Sequence, residues 1–148
     1  MAYTPIITPA DLNTVIYSEQ QEEITRGDDA IITTAIDNGI SEVKIYLSRY
    51  DLTQLFGDAG TDVAATFTDP YLTGLCKDVA CWQIVKLGNP NINYQHIRQC
   101  YDDAINALKM IQSGKANPNW PYLDPSDVTT PPGISVSITS NPKRNNRY

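Results

Sequence analysis

Histidine is almost missing from this chain: His96 is the single one in 148 residues. That leaves little from which to build a Ser-His-Asp or Cys-His catalytic arrangement, which needs a base, a nucleophile and an orienting acid in one cleft. No G-x-S-x-G elbow occurs, and neither G-x-x-x-x-G-K-[ST] nor G-x-G-x-x-G is present, so no phosphate cradle is legible. Positive charge is scarce, with 11 Lys+Arg against 17 Asp+Glu and a net charge of −6. Non-specific wrapping of nucleic acid needs a strongly basic face and is excluded. No run approaches the roughly 18 apolar residues of a membrane span. The opening MAYTPIITP has neither the basic nor the apolar region of a secretory leader. The cysteines are few and odd in number. Cys76, Cys81 and Cys100 lie in apolar helical surroundings and read as reduced, buried thiols in a cytosolic setting, not as a disulfide framework.

What is present is a soluble, globular composition, 41% hydrophobic and 19% charged, enough for one domain with a core and an appendage. The clearest stretch runs from Asp28 to Tyr50. Ile32, Ala35, Ile36, Gly39, Ile40, Val43, Tyr46, Leu47 and Tyr50 recur at three- and four-residue steps, which predicts a helix with one apolar stripe. Asp28 or Asp29 caps it. Such a helix is stable only when the stripe is buried against others.

The rest of residues 1–113 supplies partners. Thr8-Pro9-Ala10-Asp11 predicts a short helix through about Ile16. Ser18 and Gln21 are spaced as a capping box, with Glu22 and Arg26 as an i, i+4 pair and Gly27 as the stop. Residues 51–67 hold no sustained period and read as a loop from which Leu52, Leu55 and Phe56 fold back on the core. Thr68-Asp69-Pro70 starts a helix to about Leu87, stopped by Gly88-Asn89-Pro90. Asn91 or Asn93 caps a last helix, about Tyr94 to Ser113, in which Tyr94, Ile97, Tyr101, Ala104, Ile105, Leu108 and Ile111 line up. Gly114 ends it.

Composition changes at this point. Residues 1–113 carry 7 Lys+Arg against 15 Asp+Glu, residues 114–148 carry 4 against 2, and six of the 10 prolines follow residue 113. The domain reading is therefore a helical body, 1–113, and an extended proline-rich arm, 114–148. Trp120 and Tyr122 are apolar anchors with polar tips, able to pin the arm to a surface. Ile134, Val136 and Ile138 alternate within ISVSITS, a strand pattern. One lone strand is unstable in water, so it needs a partner, by strand addition within the subunit or on another chain. Lys143, Arg144 and Arg147 make the end basic and suited to an acidic surface or nucleic acid, or to a solubilising tail. The fold class is thus mainly α: a small antiparallel helical bundle with an extended C-terminal arm containing a short strand.

Metal chemistry is the sharpest alternative. Cys76, Cys81, His96 and Cys100 form C-x4-C…H-x3-C, the right atom types for zinc. Yet Cys76 and Cys81 stand about 140° apart around one helix, and a buried Cys acting as a small hydrophobe is the default. Asp58, Asp62 and Asp69 imitate positions one, five and twelve of a calcium loop, but Val63 stands where its glycine must be. Asp102-Asp103 and Glu22-Glu23 read as solvated faces. Neither a metal, nor a cofactor, nor a catalytic residue is expected.

The order of pieces resembles a known family. Tyr3 with Thr8-Pro9-Ala10-Asp11-Leu12 comes first, then an acidic Glu22-Glu23-Ile24 helix. The long helix ends in Tyr46-Leu47-Ser48-Arg49-Tyr50. After a variable loop come Pro70-Tyr71-Leu72 and Asp78-Val79-Ala80, and the final helix holds Tyr101-Asp102-Asp103-Ala104 and Leu108. This resembles the Mu-like phage head-completion family and, more loosely, the head–tail connector (adaptor) proteins of tailed phages, over about residues 3–113. Tyr46, Leu47, Arg49 and Tyr50 are the structural signature. The proline usual after the Arg-Tyr pair is replaced by Asp51-Leu52-Thr53, and the tail is longer than the family pattern. The resemblance implies a structural virion protein without enzymatic activity, made in the host cytoplasm and located at the head–tail junction. It implies a dodecameric ring beneath the portal protein that docks a tail or tail-completion protein, while DNA passes through the lumen without specific binding and no membrane is involved. Trp120, Tyr122, Ile134, Val136, Ile138, Lys143, Arg144 and Arg147 are the candidate partner-binding residues of the arm. The rival expectation is a small cytosolic helical interaction adaptor with no viral role.

Overall fold

Asp28 starts the element around which the others pack. Its carboxylate accepts from the Ala30 amide at 3.0 Å, closing one of the N–H groups that a helix start leaves open. In the computed structural model, which describes residues 2–88 and 94–123, helix α2 (Asp29–Tyr46) follows and buries Ile32, Ala35, Ile36, Gly39, Ile40 and Val43. A 3-10 turn (Pro9–Thr14) and α1 (Ser18–Thr25) precede it; α3 (Leu52–Phe56), α4 (Pro70–Gly88) and α5 (Gln95–Gln112) come after. The described chain is mainly helical, as expected. Among the described residues, no helix is long and apolar enough to cross a membrane.

Helices α2 and α4 run antiparallel. Ile24, just ahead of α2, touches Gly88 at the end of α4. At the other end, the Trp120 ring packs on Tyr50, past the end of α2, and bonds Asp69, just before α4. Midway the two backbones nearly touch: a Cβ built on Gly39 lies 3.0 Å from both Cα and N of Ala80. Helix α5 returns along α4, with Trp82 facing Tyr101 at 5.8 Å. Glu42 ties the three together. Its carboxylate accepts from the Gln83 amide at 2.9 Å and from the Tyr101 hydroxyl at 2.5 Å. Burial, then Glu42 itself, pushes the Tyr101 phenol up to about 12, so it stays a donor at neutral pH. A half-buried carboxylate with two donors costs little to hold in a helix interface.

Several local expectations are corrected. Helix α2 ends at Tyr46, not Tyr50, because the Leu47 and Tyr50 amides bond the Lys44 and Leu47 carbonyls at 3.1 and 3.0 Å, tightening the chain out of the helix. Ser18 is the first helical residue and Tyr17 the cap. Gln21 is buried and bonds Asn13 and the Ile16 carbonyl, at 3.0 and 3.2 Å. Arg26 is the C-cap of α1 at φ 56, where its amide, not its guanidinium, bonds the Glu22 carbonyl; the ion pair among the described residues is Arg98–Asp102, 3.3 Å. The N-cap of α5 is Tyr94; Asn91 and Asn93 lie outside the described residues. Residues 51–67 include α3, because Asp51 accepts from the Thr53 and Gln54 amides, and Leu55 and Phe56 are buried as expected. The body also continues past 113: Trp120 is buried, with 2% of its surface exposed.

The Gly39–Ala80 contact gives a test. Gly39→Leu forces a side chain into backbone and should cost about 1–3 kcal/mol or more. Gly74→Ala, in the interior of α4 with nothing within 4 Å of the added carbon, should gain about 0.5–1 kcal/mol. Urea midpoints of the two variants should move in opposite directions; a Gly39→Leu midpoint equal to that of the parent chain would contradict the close crossing.

Candidate functional site at the exit of the C-terminal arm

Gly114 turns the chain after α5 at φ +81, a conformation that favours glycine. The next residues run back over the body. The Ala116 amide bonds the Met110 carbonyl at 3.1 Å, and the Trp120 amide bonds the Pro118 carbonyl at 2.9 Å. Trp120 then enters the core, and its indole N–H donates to the Asp69 carboxylate. The other Asp69 oxygen accepts from the Tyr71 amide at 2.8 Å and caps α4. One carboxylate therefore starts a helix and satisfies a buried indole.

Tyr50 receives the returning segment. Its ring is 1% exposed, edge-on to Trp120 at 5.5 Å and stacked on Tyr122 at 5.1 Å. These are the favoured aromatic geometries. The backbones on either side are joined: the Asp51 amide bonds the Pro121 carbonyl at 2.9 Å, and the Leu123 amide bonds the Arg49 carbonyl at 3.0 Å. Arg49 completes the clasp. Its guanidinium lies 5.6 Å from the centre of the Tyr50 ring and donates to the Ile111 carbonyl, where a cation complements the negative end of α5. The Tyr50 hydroxyl is buried with no hydrogen-bond partner among the described residues. Burial, and then Tyr122, raise its pKa.

Of the candidate residues, the structure thus brings together Arg49, Tyr50, Trp120 and Tyr122. Leu47 is fully buried and Tyr46 half-buried in the same end of α2. Trp120 is spent on its own body and is not free for another molecule, a correction that follows from its burial and its bond to Asp69. Tyr122 stays 59% exposed. Ile134, Val136, Ile138, Lys143, Arg144 and Arg147 lie outside the described residues. Asp69 was missed as a site residue: it reads as a helix start and as the last position of a rejected calcium loop, and nothing local in the sequence reports a tryptophan 51 positions away.

The thiols sit elsewhere. Burial pushes Cys76 and Cys81 up to about 12, so both stay protonated at neutral pH and are poor ligands or nucleophiles. His96 and Cys100 approach at 3.8 Å on an outer turn of α5. Among the described residues no three His, Cys, Asp or Glu side chains converge on a metal position. Comparison of the chain with protein families, with characterised proteins and with solved structures finds no match.

The clasp predicts an asymmetry. Trp120→Ala should cost about 3–5 kcal/mol, the range for an aromatic removed from a core. Tyr50→Phe should cost far less, under about 1 kcal/mol, because the buried Tyr50 hydroxyl makes no hydrogen bond among the described residues that its removal would forfeit. Urea unfolding followed by circular dichroism measures both, and a Tyr50→Phe loss as large as that of Trp120→Ala would mean that the hydroxyl is bonded.

Proposed function

We propose that this chain is a structural connector of the head–tail junction of a tailed phage, a subunit of a ring that sits between the portal and the tail. The observation that carries this reading is the clasp. It fixes the chain at Leu123 against Arg49, and 25 further residues leave from that point. An arm launched from a rigid base suits a subunit completed by its neighbours, since the base fixes direction and the arm supplies reach. The Arg49-Tyr50 pair that carries the family resemblance is the same pair that closes the clasp. In this reading the pair is kept for anchoring, and the missing proline after it is replaced by Asp51, which caps α3.

Charge is consistent with a channel. The net −6 of the chain repels phosphate, so DNA slides past without the counterion release that tight binding needs. Copies of the chain, the portal protein and a tail-completion protein are the proposed partners, and the protein does no catalysis. It is located in the virion after assembly in the host cytoplasm.

A chain ending at Leu123 tests this reading. It keeps every residue of the clasp, so it should unfold at the same urea concentration as the full chain, while assembly into rings and yield of tailed particles fall to background. Normal assembly by the shortened chain would contradict the proposal. A stable monomer that captures a single host protein would favour the small-adaptor alternative.

A further inference from the structure

One apolar groove lies beside the clasp. Tyr71, Ala107, Met110, Ile111, Ala116 and Pro118, with Asn117 as the one polar side chain, line a space of about 360 Å³ between the start of α4, the end of α5 and the returning segment, a size that takes small ligands or side chains. Tyr71 is 55% and Met110 48% exposed, although both are side chains that favour burial. We propose that this groove receives the apolar face of residues 134–138 from a second copy of the chain. The proposal rests on the connector reading and names the partner surface for its arm.

Reach admits a second copy. Ile134 stands eleven residues beyond Leu123, about 36 Å of extended chain. Pro125, Pro131 and Pro132 lie in that stretch and favour extension. A body of this length has a radius of gyration of about 14 Å and so a width of about 35 Å. The groove borders the exit itself, because Ile111 at its floor holds Arg49 and Ala116 and Pro118 lead directly into Trp120. Fully extended, that linker spans about one body width, long enough to reach the same groove on a copy packed alongside.

Chemistry agrees with that occupant. Ile134, Val136 and Ile138 alternate, so in extended backbone they share one face and present aliphatic side chains to an apolar channel. Their burial removes an exposed apolar strand from water on one copy and an apolar groove on the other. Asp103 shares a helix face with Ala107 and Met110 and is exposed. It stands where the basic Lys143 and Arg144 that follow the segment meet opposite charge.

Disulfide trapping in the full chain tests the proposal. The background is Cys100→Ser, because Cys76 and Cys81 are fully buried. Chains carrying Met110→Cys and chains carrying Val136→Cys are mixed and oxidised. The expected result is a disulfide-linked pair well above the level of either chain alone, and a ladder of linked copies from the chain that carries both substitutions. A link formed only within single chains overturns the proposal, as does a mixture that links no more than its separate controls. If that link is missing while assembly still requires residues 124–148, the groove assignment fails and the connector reading stands. Assembly by the chain ending at Leu123 defeats the connector reading whatever the disulfides do.

Discussion

A tyrosine ring between two other aromatic rings anchors the returning segment, residues 114–123, to the helical body of this protein. Tyr50 lies beyond the last turn of α2, yet it is as buried as the residues of the helix stripe. Trp120 and Tyr122 cover it from a segment 70 residues later in the chain. Around that contact four ends converge: α2 leaves, α3 starts at Asp51, α4 starts at Asp69 and α5 closes at the Ile111 carbonyl. Each end brings unpaired backbone groups or a dipole that needs an answer. Asp51 and Asp69 supply carboxylates and Arg49 a guanidinium, so termini that are costly to bury become the bonds that hold the clasp.

Packing away from the clasp follows from a different constraint. Gly39 and Ala80 let α2 and α4 approach until their backbones meet, and α5 is then held to both through Glu42, Gln83 and Tyr101. Close crossing leaves little apolar surface unfilled in the middle of the bundle. Large apolar side chains are exposed at several places on the surface: Tyr17 and Leu87 away from the clasp, Ile45 on α2, and Tyr71, Met110 and Tyr122 toward the end where the chain exits.

Helices α2 and α5 were legible because burial of one face imposes a period on the sequence, whereas α4, buried nearly all round from Val79 to Val85, was legible from its start at Asp69-Pro70 and its stop at Gly88. Their ends were less legible. Leu47 and Tyr50 keep helical spacing after the helix has stopped at Tyr46, since a tight turn presents them to the same core. Helix α3 has five residues, too few to establish a period, and only Asp51 ahead of it carried a signal. Residues 114–123 have no local pattern that announces packing; Trp120 was readable as an anchor, but its target, Asp69, is fixed by tertiary structure alone. Tyr50 stood out through its spacing and Arg49 did not, and the structure gives the two together a physical role in holding the returning chain.

The account depends on the folded body ending at the clasp, with the chain past Leu123 acting on another molecule. Amide hydrogen exchange on the full chain, dilute and then assembled, addresses this most directly. The Asp51 and Leu123 amides, bonded to Pro121 and Arg49, should be protected in both states, and the amides of residues 134–138 only after assembly. Protection of residues 134–138 in the dilute single chain, equal to that in the assembly, would show that the arm completes its own body and would contradict the account.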